Sequence, residues 1–454
     1  TSTQQYGEAT KLISRLTKEV PNTEAYLFNL ADLYLMQNRF DDALKTYDRI
    51  EKKYGQLEEI SFKKQQIYLR QNNLDKALQE GRNLIEANPN DVRYLLAQAE
   101  LYYNNNKPEE AMQLIDKSLR TDPTNAQARL MYAELLRSKG RAAESEEQLK
   151  LAFGSTSIDI DTKVKILIDQ IRQLPNEKVQ ILALQLADST IKTHPGEAKA
   201  YAVAADIQTI AGKKQPARDN YLKAIKLDNS HFKIWQQVVL LDAELNQIDS
   251  LIAHSEKALE LFPNQAIFWF YNGTGYMIQK KYSKAVKSLE FGKKLSSENK
   301  EMMVQFNIQL GDSYHSLKEF KKSDEAYEEA LAYDSNNAHV LNNYSYFLSV
   351  RNENLPKAKI LAGKLVKQNP NNATYLDTYA WVLYKLKEYQ DARLYLEQAI
   401  ANTSDATVVE HYGDVLFQLG HRDEAVEQWM RAKAMGGDTS EFIDKKIKDK
   451  KLYE

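Results

Sequence analysis

Trp269-Phe270-Tyr271-Asn272-Gly273-Thr274-Gly275-Tyr276, followed nine residues later by Ala285-Val286-Lys287-Ser288-Leu289-Glu290-Phe291-Gly292, decides the fold of this chain. Trp269, Asn272, Gly273 and Tyr276 stand at i, i+3, i+4 and i+7, one face of an α-helix. Ala285, Leu289 and Gly292 share a face of a second helix. Gly273 and Ala285 are small because two helices that cross closely leave room for little more than a hydrogen or a methyl. The stretch predicts a tight helical hairpin.

Working outward, the small residue that opens the second helix recurs at Ala9, Ala43, Ala77, Ala111, Ser145, Ala183, Ala217, Leu251, Ala285, Ser323, Ala358, Ala392 and Ala425, and twelve of these thirteen are Ala or Ser. The intervals are 34, 34, 34, 34, 38, 34, 34, 34, 38, 35, 34 and 33. Eight of twelve are equal, so one two-helix unit is repeated along the chain. The matching position of the first helix is Ala31, Ala99, Ala133, Ala205, Gly273, Gly311, Ser345, Ala380 and Gly413, while Gln65 and Val239 break the rule. Three residues on, Tyr34, Tyr68, Tyr102, Tyr276 and Tyr314 fill the gap between neighbours, so much of the count of 27 tyrosines is packing. The prolines agree. Pro21, Pro89, Pro123, Pro195, Pro263 and Pro370 stand twelve residues after the small position, where the second helix ends. Pro108, Pro216 and Pro356 lie in its first turn, where a missing N–H is tolerated, and Pro175 sits in the turn Leu174-Pro175-Asn176.

The stretch resembles a tetratricopeptide (TPR) unit, Trp-x2-Leu-Gly-x2-Tyr then Ala-x3-Phe, with Asn272 and Leu289 departing from that pattern. The resemblance covers residues 5 to 435 and implies an all-α, right-handed α-solenoid of about twelve helix pairs. The closing stretches 341–348, 376–384 and 411–416 resemble repeats of large bacterial TPR proteins, often exported or lipid-anchored in the cell envelope. Gly436-Gly437 ends the last repeat, and Asp438-Thr439-Ser440 would start a capping helix whose Phe442, Ile443 and Ile447 cover the core. Lys445, Lys446, Lys448, Lys450 and Lys451 are expected to turn outward. The expected organisation is an N-terminal lobe over 1–153, a divergent repeat and hinge over 154–199, a C-terminal lobe over 200–435 and the cap over 436–454. The two 38-residue intervals each add four residues, about one helical turn, and mark expected changes of pitch. Ala9 has no first helix before it, so the chain reads as an array entered half-way through a repeat.

Composition narrows the function. With 61 basic and 63 acidic side chains the net charge is −2, which leaves no electrostatic footprint for nucleic acid. Cysteine is absent, excluding disulfides and thiol chemistry, and fits an oxidising compartment among others. Seven histidines form no His-x3-His or His-Glu-x2-His pair, and phosphate loops and a Gly-x-Ser-x-Gly elbow are missing. Neither a cofactor nor catalysis is expected.

The concave stripe of the first helices carries the candidate site. In the N-terminal half it is mixed and charged: Phe28, Asp32, Leu35, Glu59, Phe62, Gln66, Arg93, Leu96, Glu100, Tyr103, Gln127, Leu130, Glu134 and Arg137. In the C-terminal half aromatics gather, and Phe270, Met277, Asn342, Tyr346, Asp377, Trp381, Tyr384, Asp414 and Phe417 are expected to line a protein-binding groove. Asn342, Asp377 and Asp414 would hydrogen-bond a ligand backbone. The competing reading packs Trp381 and Phe417 against neighbouring helices. The cations of the carboxylate clamp known from chaperone-binding TPR domains are absent at the equivalent Gln305, Ile308, Asp312, Asn342 and Asp377. The function expected is a scaffold binding a protein or peptide segment in a bacterial envelope assembly, periplasmic or outer-membrane-associated, with membrane attachment only through an upstream anchor. A cytosolic peptide receptor, and the regulatory array of a longer enzyme, stay open as alternatives.

Overall fold

The computed structural model describes residues 2–174, 176–401 and 403–453, so the expected turn at Pro175 lies outside the described residues. Among them there are 26 α-helices and no strand. The chain divides into two compact units, Thr1–Leu227 and Asp228–Glu454. That division falls elsewhere than the expected hinge at 154–199.

In the first unit α1 (Ser2–Glu19) precedes the pairs α2 (Tyr26–Met36) with α3 (Phe40–Tyr54) and α4 (Glu58–Arg70) with α5 (Leu74–Ala87). Next come α6 (Val92–Asn104) with α7 (Pro108–Thr121) and α8 (Ala126–Ser138) with α9 (Ala142–Phe153). The pairs α10 (Ile160–Ile171) with α11 (Glu177–Thr193) and α12 (Ala198–Ile210) with α13 (Lys214–Leu227) complete it. The second unit holds α14 (Phe232–Glu244) with α15 (Ile248–Leu261), α16 (Ala266–Ile278) with α17 (Tyr282–Lys294), and α18 (Lys300–Ser316) with α19 (Phe320–Tyr333). It continues with α20 (Ala338–Arg351), α21 (Leu355–Gln368), α22 (Ala373–Lys385), α23 (Tyr389–Ile400), α24 (Ala406–Gln418), α25 (Arg422–Met435) and the short α26 (Ile443–Asp449).

The small position explains the pairing. It is the fourth residue of every second helix from α3 to α25 except α11, where Ala183 is the seventh, and each of these residues is buried. Ala9 on α1 is half-buried. In most first helices it is the eighth residue, as in Ala99 of α6, Gly273 of α16 and Gly413 of α24. At Gly273 an added Cβ would lie 2.6 Å from Leu289 Cδ2 and Cγ, so Gly273→Ala should destabilise the second unit by about 1–3 kcal/mol in a denaturant titration. No loss would mean that the two helices can move apart.

The turn inside each pair except α10 with α11 is three residues long, and its middle residue is usually left-handed. Asn38 has φ 55°, and Arg39 N–H donates to Tyr34 O at 2.8 Å. Asn72, Asn106, Gly140, Gly212, Asn246 and Gly420 do the same, residues for which this conformation is inexpensive. The second 38-residue interval is a helical turn inserted into α18, which has 17 residues and carries Gly311 as its twelfth. The first is shared between longer connections on either side of α10 and the 17-residue α11. The apolar core is a chain of local clusters, each built by a few consecutive helices, as expected of an array stabilised by nearest neighbours.

The divergent repeat is tied by a lysine. Lys163 is wholly buried, and its Nζ donates to the carbonyls of Phe153 (2.9 Å) and Ser155 (2.7 Å) and to Thr193 Oγ1 (2.8 Å). Burial pulls its pKa down to about 8.

Candidate protein-interaction site

The C-terminal candidate site is assembled by α20, α22 and α24. Trp381 is half-buried, its indole stacked with the ring of Tyr384 (4.8 Å, interplanar angle 8°) and with that of His411 (4.0 Å, 19°). Lys385 Nζ sits 4.7 Å from the centre of its ring. Trp381 is therefore a stacked platform with one part of its surface in solvent. Tyr346 is half-buried beside Phe347, and its hydroxyl pKa is raised by burial and then by the nearby Asp377 charge. Phe417 is half-buried against Trp429 at 5.8 Å. Further along the same unit Phe270 meets Phe306 edge-on at 5.5 Å, and Met277 packs half-buried on the same cluster.

Several expectations are corrected. Asp377 and Asp414 face the interior and not a ligand. Asp377 is buried and bound by His411 Nδ1 at 2.9 Å. Asp414 is 2% exposed and accepts from Trp429 Nε1 and Lys446 Nζ, both at 2.8 Å. Tyr384 is buried too, its outer face covered by Trp381. Asn342 donates to Asn343 Oδ1 at 3.2 Å, and its own side-chain oxygen is buried without a partner, out of reach of a ligand. Lys446 does not turn outward: it is 2% exposed. For Asp414 and Lys446 the physical reason is shared. The short α26 lays Ile443 and Ile447 on the core and drives Lys446 inward, where Glu410 and Asp414, one turn apart on α24, give it two carboxylates at 2.8 Å. Ser440 N–H closes the other oxygen of Glu410 at 2.7 Å. Phe442 is half-buried.

This network titrates. Burial pushes Asp414 up to about 6 against the pull of Lys446 and His411. Burial alone would lower His411, but the Asp377 carboxylate, with Asp414 and Glu410 behind it, holds the imidazole above its ordinary value. Burial would likewise raise Glu410, but Lys446 and Ser440 hold it below the usual carboxylate range. Asp414 and His411 bind protons more tightly folded than unfolded, so their stabilisation is present at low pH and lost as pH rises through their folded pKa values. Glu410 acts oppositely, only below its ordinary 4.5. The second unit should therefore lose stability between about pH 5 and pH 8, Asp414 alone supplying about 1–2 kcal/mol, because only the part of its shift above pH 5 falls in that window. Urea titrations at both pH values test this, and Asp414→Asn should flatten the slope. A stability that rises over that interval would contradict it.

The N-terminal stripe also forms a surface. Gln127, Leu130, Glu134 and Arg137 of α8 line a cavity of about 350 Å³ closed by Leu149 of α9 and by Thr162, Lys165, Ile166 and Asp169 of α10. A smaller hollow of about 260 Å³ adjoins it, with Glu100 and Tyr103 of α6 across from Gln127, Met131 and Glu134. The contributions of Met131, Leu149, Lys165 and Ile166 were not legible in the stripe pattern, because they depend on where the divergent α10 lies. Among the described residues no group of three or more His, Asp or Glu is arranged to hold a metal ion, and no helix is long and apolar enough to cross a membrane.

Helix pairs closed at regularly spaced small residues, with ordered concave faces, define the class: an α-solenoid of two-helix repeats. Tetratricopeptide-repeat family profiles match residues 2–58 and 66–126, 102–153, and 304–337. The chain belongs to the tetratricopeptide-repeat superfamily. Residues 351–428 match the family described as anaphase-promoting complex, cyclosome, subunit 3. The TPR repeat-containing protein PA4667 of Pseudomonas aeruginosa is 26% identical over 180 residues, 39% of this chain and 30% of that protein, so the match spans less than a third of the relative's length. Among solved structures, yeast Tom70 is similar over 94% of both chains at 17% identity, with a TM-score of 0.36. A chain of the APC/C hetero-tetramer Cut9–Hcn1 is similar over 97% of this chain and 99% of its own at 13% identity, with a TM-score of 0.41. A tetratricopeptide repeat protein from Parabacteroides merdae is similar over 56% of this chain and 98% of its own at 12% identity, with a TM-score of 0.44. Tetratricopeptide repeats bind proteins or peptides, and the chain is a protein-interaction scaffold of a fold that typically carries no chemistry of its own.

Proposed function

We propose that the chain holds a polypeptide segment of a partner against the aromatic surface of its second unit, within a bacterial cell-envelope assembly. The observation that carries the binding site is the Trp381 platform. A large ring already fixed by stacking on Tyr384 and His411 offers contact area without further ordering, as binding hot spots do. Tyr346, Phe417, Phe270 and Met277 are half-buried and keep surface for contact. With Asp377 and Asp414 engaged internally, recognition rests on apolar contact. The bacterial setting is supported by the relative from Pseudomonas aeruginosa, and the absence of cysteine fits an oxidising compartment such as the envelope.

A photo-crosslinking residue placed at Tyr346 or Phe270 should capture a discrete protein in cells, whereas one at Leu394, 57% exposed on the second helix α23, should not. Equal capture from all three positions, or none from the first two, would refute the site. Trp381→Ala should weaken binding of the captured partner by roughly 2 kcal/mol or more. Fractionation of the full-length protein should place it with the membrane or periplasm, and a purely cytosolic distribution would refute the envelope assignment.

A further inference from the structure

We propose that the cleft between α8 and α10 is a second docking site, for a partner segment that presents a carboxylate beside a large apolar side chain. It lies in the first unit, goes beyond the aromatic site of the second, and stands or falls without it. The cavity of about 350 Å³ is within the size range of binding pockets. Half-buried Leu130, Met131, Leu149 and Ile166 give it an apolar lining into which a Leu, Ile or Met side chain fits.

The polar groups around that lining divide according to whether the protein already uses them. Asp169 holds Arg172 at 3.0 Å, and Glu134 accepts from the Tyr103 hydroxyl at 3.3 Å. Ser145 donates to Ala133 O at 2.6 Å, and the Thr162 hydroxyl donates to Asp159 at 2.7 Å. Arg137 on one wall and Lys165 on the other are exposed, and neither makes an ion pair or hydrogen bond among the described residues. Glu134 keeps its charge under that neutral hydroxyl, but the two cations held by no carboxylate outnumber it, so complementarity favours an anionic group. An anion alone would leave the apolar lining uncovered. A peptide carrying Asp or Glu next to an apolar residue satisfies both.

The local sequence explains why a cleft opens here. The connection into α10, residues 154–159, is six residues long, against four at 122–125 between α7 and α8. The eighth residue of α10 is Leu167, where the regular first helices carry a small residue. The adjoining hollow between α6 and α8 shares Gln127, Met131 and Glu134 with the cleft, so an extended segment can continue across α8.

The test is a selection of peptides from a random display library against the full chain, followed by affinity measurement on variants. Enriched peptides should carry Asp or Glu within a residue or two of Leu, Ile, Met or Phe. Arg137→Ala and Lys165→Ala should each weaken them about tenfold, the size of one charge-assisted hydrogen bond, while Trp381→Ala leaves them within about twofold. Both substituted side chains are exposed and unpaired, so melting curves should show the fold intact. The proposal is overturned if no peptide is enriched or if the enriched peptides lack acidic residues. It is equally overturned if both cation variants bind them unchanged, or if inorganic phosphate displaces them fully.

Discussion

Replacing Lys446 by methionine should destabilise the second unit by about 3–5 kcal/mol, the penalty for removing one partner of a buried charge network. The lysine is 2% exposed and is held at 2.8 Å by Glu410 and by both oxygens of Asp414, residues themselves 2% exposed. Methionine fills the same channel but leaves two carboxylates facing each other in the interior. One of them can escape by taking up a proton. Because burial already pushes Asp414 up to about 6, the loss should be smaller at pH 5 than at pH 8. Lys163 makes the comparison instructive. It is equally buried but hydrogen-bonds only two carbonyls and a hydroxyl, with the Phe153 ring beside it, so Lys163→Met strands no opposite charge and should cost about 1–2 kcal/mol. Urea titration of the two variants side by side measures the difference. Equal losses, or a Lys446→Met variant as stable as the parent, would show that the network is not what holds α26 down.

Trp429→Ala should be as damaging, about 3–5 kcal/mol. Trp429 is the largest wholly buried side chain, and α24 passes so close that a Cβ on Gly413 would lie 2.6 Å from its ring. Truncation opens a cavity between α24 and α25 and removes the Nε1–H that Asp414 accepts at 2.8 Å. Trp429→Phe keeps most of the volume and loses only the donor, so its loss should be nearer 1–2 kcal/mol. If the two variants unfold alike, hydrogen bonding and not packing dominates at this position.

How much of this was legible in the sequence follows from what a repeat encodes. The close-crossing position is local: Ala43, Gly273 or Gly413 must be small whatever surrounds the array, so the period and the helix pairs can be read directly, whereas the last helix begins at Ile443 and not at Asp438-Thr439-Ser440. The extra residues before Gly311 were also countable, although their conversion into a longer α18 rather than a loop was not. A stripe on a helix says which residues share a face and leaves open what covers them. Asp377, Asp414 and Tyr384 share the concave stripe with Trp381, yet His411, Lys446 and Trp381 itself cover them. Lysine is usually solvated, so the sequence alone places Lys446 outward. The signal for the opposite placement is Glu410 and Asp414 at i and i+4 on α24, two buried carboxylates that require a cation. The cleft beside α10 stayed hidden for a different reason: Leu167 stands where the period calls for a small residue, and the period says nothing of where the displaced helix settles.

The most direct measurement is hydrogen exchange of the full chain with and without the partner captured at Tyr346. A scaffold that holds a polypeptide on its concave surface predicts new protection in the first helices α16, α18, α20 and α22, with the second helices α17, α19, α21 and α23 unchanged. Protection confined to the second helices, or no change on saturation with that partner, would contradict it.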